Sequence, residues 1–299
     1  MSKNKNWTAE NIPDQNGKVV IVTGSSSGIG FEASRVLANK NAKVIIAVRN
    51  LEKGNNAKLK IKNENSNADI EIMKLDLADL KSVKQFAHYF KANFERLDIL
   101  INNAGVMVPP YSKTKDGFEL QMGTNHFGHF ALTLQLLDLI KNTPKARIVN
   151  VSSTAHKAGN INFDDLNWEN RKYSAWKAYG DSKIANLYFT QELGRKLSGT
   201  QTKVTSAHPG WTATDLQRNS GIFKFLNNFF AMKPEQGTLP TLRAATDEKV
   251  SSGDFFGPNG WLEMRGYPVK VGMKELAKNE KIAKKLWNVS EELTNIKKI

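Results

Sequence analysis

A strand pattern over Lys18–Thr23 runs straight into Gly24-Ser25-Ser26-Ser27-Gly28-Ile29-Gly30, and a helical pattern follows at once. Few arrangements of backbone accept that junction. Gly24 permits the sharp turn, Gly28 lets backbone approach a pyrophosphate, and Gly30 lets the helix pack closely on the sheet. The helix start offers unpaired N–H groups and the positive end of its dipole to phosphate oxygens. Gly24, Ser26, Ser27, Gly28, Ile29 and Gly30 are therefore candidate cofactor contacts.

The rest of the chain supplies the context such a turn needs. Short β-branched runs at Val19–Thr23, Val44–Val48, Ile70–Leu75, Ile99–Asn102, Ile148–Val151 and Val204–Ala207 alternate with helical patterns. The helices fall near Ile29–Asn39, Leu51–Asn63, Leu80–Phe94, Asn125–Leu139 and Tyr179–Leu197. A last helix places Ile282, Leu286, Val289 and Leu293 on one face. The first five strands are apolar almost throughout, as strands buried on both faces are. The expected fold is α/β: a Rossmann-type doubly wound parallel sheet in a single domain over residues 17–299, after a polar extension over 1–16. Ala155–Ala178 and Gly221–Lys233 read as additions to that core.

Composition narrows the function classes. The chain has no cysteine, which removes disulfides, thiolate zinc sites and thiol nucleophiles and leans toward a reducing compartment. The net charge of +14 comes from lysines spread along the chain, including Lys53, Lys58, Lys60, Lys62 and the run of them from Lys270 to Lys298. That scatter argues against nucleic acid and for a solvated surface that could help attract an anionic cofactor. Met1–Glu10 lacks the apolar stretch of a signal peptide, and Phe130–Ile140 is too short for a membrane span. A cytoplasmic protein is expected.

Three features carry chemistry. An NAD binder places a carboxylate about 20 residues past its glycines to hold the ribose 2′-hydroxyl. Here the second strand ends in Val48-Arg49-Asn50, and a guanidinium at that tip suits a 2′-phosphate, so NADP(H) is the expected cofactor. Tyr179 and Lys183, four apart, share one helix face, where an ammonium would favour the phenolate and make the tyrosine a usable acid and base. Ser152 and Ser153 bring hydroxyls to the carboxyl edge of the sheet, where ligands bind in such folds. His126 and His129, three apart on a helix, lack a matching carboxylate or third ligand, so no metal site is expected.

The glycine spacing, G-x-x-x-G-x-G, differs from the commoner G-x-G-x-x-G, and Thr23-Gly24-x-x-x-Gly28-Ile29-Gly30 resembles the cofactor motif of the short-chain dehydrogenases/reductases. The resemblance runs from Lys18 to about Gly266. It implies that Asp76 and Leu77 contact adenine and that Asn103, Ala104 and Gly105 brace the sheet beside the cofactor. It gives Pro209-Gly210 a place beside the nicotinamide. It makes Ser153, rather than Ser152, the group that holds the substrate oxygen, and Asn125 the support of a proton relay through Lys183 and a water. Tyr179 would then exchange the proton on oxygen while a hydride moves between the nicotinamide and carbon, with Lys183 also contacting the ribose.

The insertion before Tyr179 and the ending Gly257-Pro258-Asn259-Gly260 resemble the branch holding retinol dehydrogenases and the WW-domain oxidoreductase. The light-driven protochlorophyllide reductases are similar too, but use a cysteine this chain lacks. A lid over about 211–233, rich in Ile222, Phe223, Phe225, Leu226, Phe229, Phe230 and Met232, would suit a small lipophilic carbonyl or alcohol substrate of retinal, sterol or aliphatic kind. The same segment could instead pack into the core, against a partner, or on a membrane surface between Lys224 and Lys233. Family helices equivalent to Asn125–Leu139 and Tyr179–Leu197 often pair across a homodimer axis, which the insertion could block. The alternative to an NADP-dependent oxidoreductase is a catalytically weak NADP(H)-binding sensor or interaction protein on the same fold.

Overall fold

β1 (Val19–Thr23) is buried at every position, and its side chains leave alternately for the two faces of the sheet. Val19 and Ile21 join Ile45, Leu100 and Ile148 in one apolar layer, while Val20 and Val22 join Val44, Ile46, Ile99 and Val149 in the other. A strand wetted on neither side is largely apolar, and its few polar side chains are buried with it. The same holds for β2 (Lys43–Val48), β4 (Ile99–Asn102) and β5 (Arg147–Val151), whose burial is almost unbroken.

The computed structural model describes residues 6–212 and 232–297. With β3 (Ile70–Lys74), β6 (Lys203–Ala207), β7 (Phe255–Pro258) and β8 (Pro268–Lys270), the described residues form one sheet in the order β3-β2-β1-β4-β5-β6-β7-β8. Every neighbouring pair is parallel except β7 with β8. The order reverses between β1 and β4, which opens a crevice at the carboxyl ends of the strands.

Helices cover both faces. α1 (Gly28–Asn39), α2 (Leu51–Glu64) and α6 (Leu239–Thr246) bury Leu37, Ile61 and Leu242 in one layer. α3 (Leu80–Asn93), α4 (Gly128–Asn142) and α5 (Ala175–Lys196) bury Phe90, Phe130 and Phe189 in the other. α7 (Glu280–Thr294) lies outside α4 and α5, with Trp287 5.0 Å from the Phe130 ring and 6.0 Å from Phe189. Part of the α4–α5 surface expected to pair across a dimer axis is thus occupied by the chain's own last helix. Among the described residues no helix is long and apolar enough to cross a membrane.

The structure departs from the sequence reading in four places. β7, β8 and α6 escape periodicity because they are short and carry Gly257, Pro258, Pro268 and Pro240, residues that weaken a strand or helix pattern. The buried face of α7 is Ala283, Leu286, Trp287, Ser290 and Thr294, whereas Leu293 is 40% exposed. Ser290 and Thr294 tolerate burial because their hydroxyls donate to the Leu286 and Ser290 carbonyls at 2.7 and 2.6 Å. The extension over 1–16 is not merely a polar tail: Ile12 is buried, and Gln15 donates its backbone N–H to Lys40 O at 2.7 Å beyond the end of α1. The addition at 155–178 ends inside α5, and its Trp168 is buried under the Arg171 guanidinium, 3.6 Å from the ring centroid.

Candidate active site

The glycine turn follows β1 at the reversal of strand order. Gly24 and Gly28 adopt φ of 67° and 58°, in the left-handed region that glycine enters without steric cost. A Cβ on Gly30 would fall 2.4 Å from Asn103 Nδ2 and 2.7 Å from Gly24 O, so helix and turn meet too closely for any side chain. Ser25 turns inward and donates to Val22 O at 2.7 Å, leaving Ser26 and Ser27 to the open side. Asn50, Asp79 and Asn279 cap their helices by accepting a backbone N–H, whereas the Ser27 side chain makes no such bond at the start of α1. That helix start keeps backbone N–H groups that a ligand's oxygens could meet.

The end of β4 is clamped to the end of β1. Asn103 Nδ2 donates to Thr23 O at 2.8 Å, and the Asn103 and Ala104 N–H groups both donate to Thr23 Oγ1 at 2.9 Å. With its acceptor capacity used, Thr23 donates to His129 Nε2 at 2.9 Å, while His129 Nδ1 donates to the Asn125 carbonyl at 3.0 Å. His129 is thus a neutral ring bracing the crevice, its pKa pulled down to about 4, chiefly by burial. His126 meets Ser290 Oγ at 2.9 Å and is pulled down to about 3 by the same cause. The two rings serve packing, on separate partners.

One cavity of about 890 Å³ runs along this edge. Gly24, Ser26, Ser27, Gly28, Ile29 and Gly30 line it, as do Arg49, Asp76, Leu77, Asn103, Ala104, Gly105, Pro209 and Gly210. Ser153, Tyr179 and Lys183 complete that wall. Tyr179 is buried, and burial pushes its phenol up to about 12 even though a hydrogen bond with Ser153 acts the other way. Lys183 is buried too, and desolvation pulls its ammonium down to about 8. Its Nζ donates to Val151 O at 3.3 Å and stands 5.6 Å from the centre of the Tyr179 ring. In the protein alone the phenol therefore stays above its ordinary value, because the cost of burying a phenolate is larger than the effect of the Ser153 bond. Ser152 is buried with its hydroxyl donated to Lys183 O at 2.8 Å, which leaves Ser153 as the serine open to a ligand.

Asn125 is the one candidate that does not line the cavity. It lies in a π-helical turn, Gly123–Phe127, leading into α4, and is fully buried. Its Oδ1 accepts the Val106 N–H at 2.8 Å, and its Nδ2 donates to Val106 O at 3.0 Å and Ser182 Oγ at 2.9 Å. The side chain thereby holds the Gly105–Val106 backbone over Lys183, with both of its amide hydrogens engaged. The apolar lid lies outside the described residues except at its ends, where Thr212 bridges to Met232 and Met232 N donates to Trp211 O at 2.8 Å.

Residues 18–223 match the sequence profile of the short chain dehydrogenases. The chain belongs to that family. Retinol dehydrogenase 12 of Mus musculus is 44% identical over 287 residues, covering 94% of this chain and 87% of its own length. The crystal structure of an uncharacterised protein from Mycobacterium paratuberculosis superposes with a TM-score of 0.83 at 40% identity, covering 98% of this chain and 99% of that one. A short chain dehydrogenase from Escherichia coli, crystallised with NADPH, superposes with a TM-score of 0.66 at 26% identity, covering 80% and 95%. As a short-chain dehydrogenase the protein is an oxidoreductase acting on CH–OH and C=O groups.

Sequence reasoning missed several walls of this dehydrogenase's cavity. Lys53 stands in the first turn of α2, close in sequence to Arg49 at the tip of β2, and that nearness was legible. Trp176 lies one turn before Tyr179, edge-on to its ring at 6.4 Å, and was legible in the same way. Met107, Leu262, Glu263 and Met264 arrive from distant loops, and no local pattern announces them.

Proposed function

We propose that this short-chain dehydrogenase uses NADP(H) to reduce the carbonyl of a lipophilic substrate, and to run the reverse reaction on the alcohol. The observation that carries the reading is a single cavity joining an uncapped helix start and two cations to the Ser153–Tyr179–Lys183 group.

The residues fit a dinucleotide phosphate. The glycine turn leaves no room for a side chain on Gly30 between α1 and Gly24, and the uncapped N-terminus of α1 lines the cavity. Arg49 and Lys53 are exposed with their charges at the tip of β2 and the first turn of α2, suited to a 2′-phosphate. No carboxylate stands at that tip to select a free 2′-hydroxyl. The complex of the Escherichia coli relative with NADPH supports the same cofactor. A bound nicotinamide supplies or takes the hydride. Tyr179, protonated at neutral pH, gives its proton to the carbonyl oxygen, a state that suits the reducing direction. Ser153 holds that oxygen, and Lys183 stabilises the phenolate as it forms. Met107, Trp176, Trp211, Leu262 and Met264 wall the same cavity with apolar surface, and the retinol dehydrogenase relatives support a lipophilic substrate.

The test is oxidation of NADPH against a panel of lipophilic aldehydes and ketones, in the wild type and in Tyr179→Phe. Turnover by the wild type and a loss of about 100-fold or more in the variant, with NADPH binding intact, is the expected result. Tight NADPH binding with no turnover of any carbonyl would instead favour a cofactor sensor.

A further inference from the structure

Glu263 stands where the proposed chemistry needs no carboxylate, yet it joins two separate parts of the cavity wall. Its Oε2 accepts from His208 Nε2 at 2.8 Å, and its Oε1 accepts from Lys157 Nζ at 3.3 Å. His208 follows β6, is fully buried, and donates its backbone N–H to Phe256 O at 2.8 Å. Its Nδ1 accepts the Gly210 N–H at 3.2 Å, so the ring proton lies on Nε2 and points at Glu263. Gly257 in β7 leaves room for the ring: a Cβ there would fall 2.0 Å from His208 Nε2. The Gly210 amide, the imidazole, the carboxylate and the Lys157 ammonium thus form one line of hydrogen bonds.

A second tie runs beside the first. Met264 O accepts the Trp211 N–H at 2.8 Å, and a Cβ on Gly210, whose φ is 66°, would lie 2.5 Å from that same carbonyl. Leu262 and Glu263 adopt φ of 50° and 57°, which non-glycine residues enter only where surrounding contacts hold them. The His208 bond also keeps the Glu263 carboxyl below its usual range, against the opposing effect of burial.

We propose that Glu263 is a positioning residue: through His208 it holds the Pro209–Gly210 turn against the cavity, and through Lys157 it holds the turn that begins at Ser153. The consequence for catalysis rests on the NADP(H) reading above, which sets that turn beside the nicotinamide.

Hydrogen exchange in the cofactor-free full chain reads the tie directly. Glu263→Ala speeds exchange about ten-fold in peptides spanning 208–212 and 259–266, the worth of one charge-assisted hydrogen bond, and leaves β1 to β5 unchanged. Glu263→Gln, whose amide oxygen still accepts from His208, keeps most of the protection. In steady state Glu263→Ala raises the KM for NADPH by a similar factor with its preference over NADH unaltered, since Arg49 is untouched, and Glu263→Gln restores it. Equal exchange in wild type and Glu263→Ala overturns the proposal, and so does a loosened turn with an unchanged KM. A wild type that turns over no carbonyl with NADPH would sink the cofactor reading, while the exchange data would still decide the tie.

Discussion

Desolvation acts in opposite directions on two neighbours at the floor of the cavity, pushing Tyr179 up to about 12 and pulling Lys183 down to about 8. Lys183 carries its charge below about pH 8 and sheds it above, and only the charged form stabilises a forming phenolate. Carbonyl reduction is therefore expected to hold level up to that point and decline beyond it. A pH profile of kcat checks this, and a profile that stays level well past it would separate turnover from Lys183. At the other end of the cavity, Arg49→Ala removes a charge-assisted contact worth about 2 kcal/mol, or roughly thirty-fold in the KM for NADPH. The KM for NADH should barely move, and an equal rise for both cofactors would place Arg49 away from the 2′-phosphate.

Among the elements, the turn into α4 does the most to shape the site. Its π-helical residues send Asn125 inward to hold Val106 and place His129 under Thr23. His126 and His129 are neutral when folded, with pKa values of about 3 and about 4, but take up protons near 6.5 once unfolded. The unfolded chain thus binds more protons below about pH 6.5, so their contribution is complete above that value and is lost as pH falls toward the folded values. Stability should drop by up to about 1.4 kcal/mol per pH unit for each histidine in that window. Denaturant unfolding across the window measures it, and a midpoint unchanged between neutral pH and about 5 would contradict it. α7 contributes by packing. Trp287→Ala, which empties the space beside Phe130 and Phe189, should cost about 3–5 kcal/mol in the same experiment.

For the whole molecule, a ligand that binds only the folded chain raises its stability, by about 2.7 kcal/mol at a hundred-fold excess over Kd. NADPH should raise the melting temperature by several degrees and NADH by less; a reversed order would contradict the reading of Arg49. How far the sequence reaches depends on how local each feature is. The glycine turn, the central strands β1, β2, β4 and β5, and the Tyr179–Lys183 pair are legible because each is written in neighbouring residues: a strand buried on both faces is largely apolar, and a helix puts residues four apart on one face. Tertiary structure alone decided the rest. β7 and β8 exist by pairing rather than by pattern, and Asn125 is a brace rather than a cavity residue because Val106 and Ser182 close on it. The phenol sits high because burial around it outweighs its hydrogen bond with Ser153. His208 and Glu263, 55 residues apart, meet only because β6 and β7 lie side by side, and hydrogen bonds between distant segments leave no period in the chain that makes them.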